Sequence, residues 1–176
     1  MTRIFLIGYM GAGKTTIGRL LAARLNLSFV DLDLFIEKRF HKTINEIFAE
    51  KGEEGFRQIE RDALHEVGEY ENALISVGGG APCFFDNIGF MNEKGQSIYL
   101  KVNTDVLSAR LNSAKQMRPL LKDKSEAEIK DFIVSMIEKR EPFYNQAKLV
   151  FDASEFGNKG GIEQTISLLI ENLNAQ

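Results

Sequence analysis

Near the N-terminus, Gly8-Tyr9-Met10-Gly11-Ala12-Gly13-Lys14-Thr15 fits the pattern G-x-x-x-x-G-K-[ST]. Each residue type has a physical task. Glycines let the backbone turn its N–H groups inward around phosphate oxygens, and the N-terminus of a following helix adds positive potential. Lys14 offers a charged donor, and Thr15 offers a hydroxyl to Mg²⁺. A chance match arises in on the order of one chain in two hundred at average composition. An apolar run directly before the motif and helical spacing directly after it make a nucleotide phosphate site the reading of choice over a glycine-rich turn with an incidental lysine.

This loop serves kinases, ATPase motors and GTP switches alike, so the other chemistry-bearing residues must decide. Asp31 and Asp33 follow the second apolar run. As i and i+2 in an extended segment, their carboxylates share one side and point to the carboxyl-end crevice where open α/β sheets bind ligands. One then serves the metal and the other an acceptor hydroxyl; the competing reading is an Asp-rich turn or helix cap. Arg57 and Glu60 are i, i+3 neighbours able to pair on a helix. Arg140 continues the stripe Ile129, Phe132, Ile133, Met136, Ile137, which turns it toward the protein body. An inward guanidinium requires an anion, either a protein carboxylate or a ligand. His41 and His65 have no partners at ligand spacing and read as surface residues, Cys83 as a partly buried small side chain, and Phe48 and Phe56 as core, with Phe56 placed to wall a site beside Arg57.

Five short apolar runs, Ile4–Ile7, Leu27–Val30, Leu74–Val77, Ile98–Val102 and Leu149–Phe151, must position these groups. Continuous apolar runs alternating with helical stretches predict a parallel sheet covered on both faces. Ile17, Leu20, Leu21 and Leu25 mark the first helix, and Ile162, Ile166, Leu169 and Leu173 the last. Thr43 with Glu46 and Ser125 with Glu128 are capping-box starts. Between two helices, the polar stretch Ser113–Lys124, with Lys115, Arg118 and Pro119, reads as a loop able to move. At 176 residues without repeats or linkers, the chain predicts a single domain, 1–176. With 22 Lys plus Arg against 25 Asp plus Glu and no basic run, a nucleic-acid partner is not expected. One cysteine excludes an internal disulfide and a multi-thiolate metal site. No window approaches the roughly 18 apolar residues of a membrane span and no signal peptide is recognised, so the expected location is the cytoplasm, with no membrane partner.

Six blocks occur in order over nearly the whole chain: Gly8 to Thr15, Asp31-Leu-Asp33, Gly52-Glu53-x-x-Phe56-Arg57-x-x-Glu60, Gly78-Gly79-Gly80, Arg118-Pro119-Leu120-Leu121 and Arg140-x-Pro142-x-Tyr144. Together they resemble shikimate kinase. The resemblance implies phosphorylation of the 3-hydroxyl of shikimate by ATP with Mg²⁺, the chorismate-pathway step toward aromatic amino acids. It also implies the nucleoside-monophosphate-kinase-like fold: three layers, five parallel strands in the order 2-3-1-4-5 with helices on both faces, and a mobile lid, here about 113–124. By the same resemblance Gly11, Ala12, Gly13, Lys14, Thr15, Thr16, Arg110 and Arg118 fall to the nucleotide, with Lys14, Asp33 and Arg118 catalytic. Thr15 and Asp31 fall to the metal, and Asp33, Arg57, Gly78, Gly79, Gly80 and Arg140 to the substrate. A monomer binding only shikimate and ATP is expected. The run Ala81-Pro82-Cys83-Phe84-Phe85 is more aromatic than the family's pattern. Rival readings are a kinase for another sugar acid such as gluconate, and a catalytically silent metabolite sensor on the same fold. The intact Lys14, Thr15, Asp31 and Asp33 count against a silent sensor, and the absence of Asn-Lys-x-Asp counts against a GTP switch.

Overall fold

The computed structural model describes residues 2–113, 125–156 and 161–174. Strand β1 (Arg3–Ile7) lies at the centre of a five-stranded sheet in the order β2-β3-β1-β4-β5. The others are β2 (Ser28–Asp31), β3 (Ala73–Ser76), β4 (Gln96–Lys101) and β5 (Leu149–Asp152). All pairings are parallel, with Phe5 opposite Ile75 on one side and Ser97 on the other. Strand β3 is buried throughout and β1 is buried from Ile4 to Ile7, which is why their sequences are unbroken apolar runs; the edge strands β2 and β5 are partly exposed.

The two faces of β1 feed two cores. Ile4 and Leu6 join Leu74, Ile98 and Leu100 beneath α1 (Lys14–Leu25), α5 (Thr104–Ser113) and α7 (Gly161–Asn174). Phe5 and Ile7 join Ile75, Val77 and Tyr99 beneath α2 (Leu32–Phe40), α3 (Ile44–Val67) and α4 (Asn87–Lys94). Each fully buried aliphatic side chain contributes about 1.5–3 kcal/mol relative to exposure. Helix α6 (Glu126–Tyr144) belongs to both cores, since Ile129 and Ile133 enter the first and Tyr144 the second. It therefore crosses from one face of the sheet to the other, carrying Arg140 between.

Both capping boxes form: Glu46 Oε2 and Glu128 Oε2 each accept from the cap residue's backbone N–H at 2.7 Å, while Thr43 and Ser125 hydroxyls accept from the third helical N–H at 3.3 Å. Three expectations shift. Ile162 is 39% exposed, because the buried face of α7 runs through Gly161, Thr165, Ile166 and Leu169. Leu27 precedes β2 and Val77 follows β3. Ser113 closes α5 instead of opening a loop; the rest of the expected lid, 114–124 with Arg118, lies outside the described residues.

Candidate active site

Strand β1 ends at Ile7, and the chain reverses over Gly8–Gly13 into α1. Gly13, at φ 93°, occupies the N-cap in the left-handed region that only glycine enters freely. Ala12 is buried, Thr15 and Thr16 are exposed, and Lys14 Nζ donates to the carbonyls of Gly8 at 2.9 Å and Tyr9 at 3.1 Å. The ammonium is thus held by the carbonyls of its own loop, at the start of the helix whose N-terminus adds positive potential. Thr15 Oγ1 donates to Asp31 Oδ2 at 3.0 Å, which sets a hydroxyl and a carboxylate side by side. Hard oxygens in this number suit Mg²⁺, which keeps several waters and takes phosphate oxygens from its nucleotide. Among the described residues, no group of three or more His, Cys, Asp or Glu side chains forms an independent metal cage.

Asp31 ends β2 and also caps α2, its Oδ1 accepting from Leu34 N at 3.3 Å. The expectation of an extended Asp31–Asp33 segment is corrected: the helix begins at Leu32, because the Asp31 cap starts it at once, and Asp33 lies in its first turn. The cap forms, and both aspartates nevertheless line one cleft of roughly 330 Å³ with Met10, Gly11, Gly13, Lys14, Thr15, Ser76, Val77, Gly78 and Gly79. Burial, reinforced by the charge of Asp31 and opposed by Lys14, raises the Asp33 carboxyl above its ordinary range.

Beyond Asp33, Arg57 Nη1 donates to Glu60 Oε2 at 2.7 Å, the pairing expected from their spacing. Glu60 is 1% exposed, and burial pushes its carboxyl up to about 7 even against the attraction of Arg57. The glycine turn is required here by close approach: a Cβ on Gly80 would stand 2.6 Å from Arg57 Nη2. Gly78 lies against Asp33 and Glu60, and Gly79 against Arg140. Arg140 is half-buried, with its Cζ 5.5 Å from the Tyr9 ring, and makes no ion pair among the described residues. The inward direction read from periodicity holds; Arg140 hydrogen-bonds with Tyr144 and its charge is felt by Glu60, but among the described residues no carboxylate pairs with it.

Arg110 is committed to backbone: its guanidinium donates to the carbonyls of Gly11, Ser154 and Phe156, tying the phosphate loop to the segment after β5. Phe56 is 3% exposed, stacks on Phe48 at 4.2 Å and lies 5.3 Å from Arg57 Cζ; Phe56 belongs to the second core and Phe48 packs against it. His41 is exposed, but His65 is not simply a surface residue, since its ring stacks on Phe90 at 3.8 Å. Cys83 is half-buried, and burial raises its thiol pKa. Two contributors lacked an assigned role in the sequence. Tyr144, fully buried, donates to Gly79 O at 2.5 Å. Phe84 lies on Arg57. The available signals were a tyrosine one turn after Arg140 on the same helix and an aromatic run directly after the triple glycine.

A phosphate-binding loop that opens onto a cleft lined by two aspartates, with two guanidinium groups lying against the glycine turn at its wall, puts the molecule in the class of P-loop phosphotransferases for small molecules. Comparison with known proteins narrows the class: the shikimate kinase family model matches residues 10–172, and the chain belongs to that family. A shikimate kinase of Bacteroides thetaiotaomicron is 55% identical over 171 residues, covering 97% of this chain and 98% of that one. A crystal structure of shikimate kinase from the same organism superposes with a TM-score of 0.95 at 54% identity, covering 98% of each chain. Shikimate kinase from Acinetobacter baumannii in complex with shikimate gives 0.86 at 30% identity, covering 99% of this chain and 94% of that one.

Proposed function

We propose that this protein transfers the γ-phosphoryl group of ATP to the 3-hydroxyl of shikimate, giving shikimate 3-phosphate and ADP. The backbone of Gly11–Gly13 and the N-terminus of α1 cradle the nucleotide phosphates, and Lys14 exchanges its loop carbonyls for phosphate oxygens. Thr15 and Asp31 hold Mg²⁺, which when bound neutralises charge on the β- and γ-phosphates. Asp33 orients the attacking hydroxyl and accepts its proton. Arg57 and Arg140 hold the acceptor carboxylate, with Gly78–Gly80 as the surface beside it. Arg110 fixes the loop from behind through Gly11, and Thr16 and Arg118 complete the nucleotide contacts. The working form is a cytoplasmic monomer; among the described residues no helix is long and apolar enough to cross a membrane.

One observation carries the reading: the half-buried guanidinium of Arg140, without an ion pair among the described residues, lies against Gly79, which lines the cleft together with Asp33. A cation so placed calls for an anionic ligand. Arg57→Lys or Arg140→Lys keeps the charge but loses the planar fork. Each should weaken shikimate binding, toward the lower end of the roughly 2–5 kcal/mol cost of breaking a desolvated ionic contact, and leave ATP affinity unchanged. An analogue with the carboxylate reduced to an alcohol should bind the parent poorly and lose little more on mutation. Equal losses for acid and alcohol would show that the arginines only shape the protein.

A further inference from the structure

We propose that Phe84 is a positioning residue for the acceptor carboxylate, its ring holding the Arg57 guanidinium in one plane so that the cation offers its edge to the ligand. The inference rests on the reading above, in which Arg57 is the acceptor's anchor.

Arg57 is only 11% exposed in its side chain, yet one short contact restrains its head. Nη1 reaches Glu60, Nη2 lies 3.6 Å from Glu53, and Nε is buried without an acceptor among the described residues. A guanidinium fixed at one nitrogen is free to tilt about that contact, and a tilted fork cannot make two parallel bonds to a carboxylate. Aromatic faces supply the missing restraint. Arg57 Cζ lies 4.2 Å from the Phe84 centroid, against 5.3 Å for Phe56 and 5.8 Å for Phe48. Only Phe84 is at stacking distance, where attraction to the π-face is strongest. The backbone of Gly80 bounds the Nη2 side.

The local chain is arranged to deliver this ring. A 3₁₀ turn at Ala81–Cys83 ends in Phe84, whose extended backbone precedes Phe85 at φ 50°. A bulky residue is unfavourable in the left-handed region. Asp86 anchors the turn on Arg61 through contacts of 2.9 and 3.2 Å, and Asn87 Nδ2 donates to Ala81 O at 2.9 Å. The strained residue leaves its own ring 58% exposed, while its neighbour turns inward onto Arg57. Strain held by its surroundings marks places where geometry has a use.

The test measures shikimate KM and calorimetric Kd, ATP KM and thermal midpoint. Phe84→Leu keeps apolar bulk and loses the π-face. It should raise shikimate KM and Kd about 5- to 30-fold, the range for a partly to fully desolvated cation–π contact, with ATP KM unchanged. Phe84→Tyr should match the parent. Replacing Phe84 with 3,4,5-trifluorophenylalanine keeps the ring's shape but weakens its π-face, and should give an intermediate loss. This variant decides the matter if Phe84→Leu does not fold. Phe85→Leu, which alters the ring beyond the guanidinium cage, should leave shikimate KM unchanged. Parent-like shikimate affinity in the fluorinated protein would overturn the proposal and leave Phe84 a packing residue. Arg57→Lys separates the two levels. If it weakens shikimate binding while fluorination does not, only the Phe84 role fails; if it leaves binding intact, the acceptor-anchor reading fails first.

Discussion

Asp33 and Glu60 are two carboxyls raised by burial, both lying against Gly78, and they lead to different predictions. In the proposed reaction Asp33 must be ionised to accept a proton, so activity should fall as pH drops through its raised value, with an acid limb in kcat/KM above the ordinary 3.8 of an aspartate. Asp33→Asn should lower kcat by at least about 10²-fold and leave ATP affinity by titration nearly unchanged. A collapse of ATP affinity instead would exchange the roles of Asp31 and Asp33. Glu60 bears on stability. Its folded value of about 7 lies above the unfolded 4.5, so the folded state holds the proton more tightly. Its contribution is complete below pH 4.5 and lost as pH rises through about 7. The parent's thermal midpoint should therefore decline across this window more steeply than that of Glu60→Gln; parallel curves would contradict the assignment. The Arg57–Glu60 pair was legible in the sequence because i, i+3 neighbours meet on any helix. That Arg140 makes no ion pair among the described residues was not, because it depends on where the fold places the carboxylates.

At the scale of elements, local rules were readable and conformational exceptions were not. The capping boxes of α3 and α6 involve four consecutive residues each, so type and spacing reveal them; Thr43→Ala should cost about 1 kcal/mol. The helix start at Leu32 was hidden because Asp31 belongs to a strand and a cap at once. Helix α3 is likewise two helices joined at Gly52, at φ 67° and ψ −177°. Its sequence otherwise reads as ordinary helix, and a glycine alone does not announce its dihedral. A Cβ at Gly52 would meet nothing within 4 Å, so Gly52→Ala should destabilise through backbone conformation alone, by about 1 kcal/mol or more. In a chain of this size each kcal/mol lowers the thermal midpoint by about 2–4 °C. Gly89 is also unobstructed, but lies within α4 at ordinary dihedrals. Gly89→Ala should stabilise by about 0.4–1 kcal/mol, and the opposite signs of these two substitutions can be read from paired denaturation curves.

For the molecule as a whole, apolar runs predicted a parallel sheet from burial alone, whereas the strand order came from family resemblance, since periodicity does not say which strands are neighbours. The sheet's carboxyl ends gather residues remote in sequence: the loop after β1, the aspartates after β2, the glycines after β3, and Arg140 from the helix that crosses between the cores. In the proposed reaction this convergence supplies a phosphate end and an acid-binding end, as transfer between two bound molecules requires. The central claim is that the acid held there is shikimate. ADP release measured by a coupled assay, with shikimate, gluconate, quinate and nucleoside monophosphates side by side, tests it most directly. The account predicts turnover with shikimate alone, lost in Lys14→Ala while the fold persists. Comparable turnover with gluconate or a nucleoside monophosphate would contradict it.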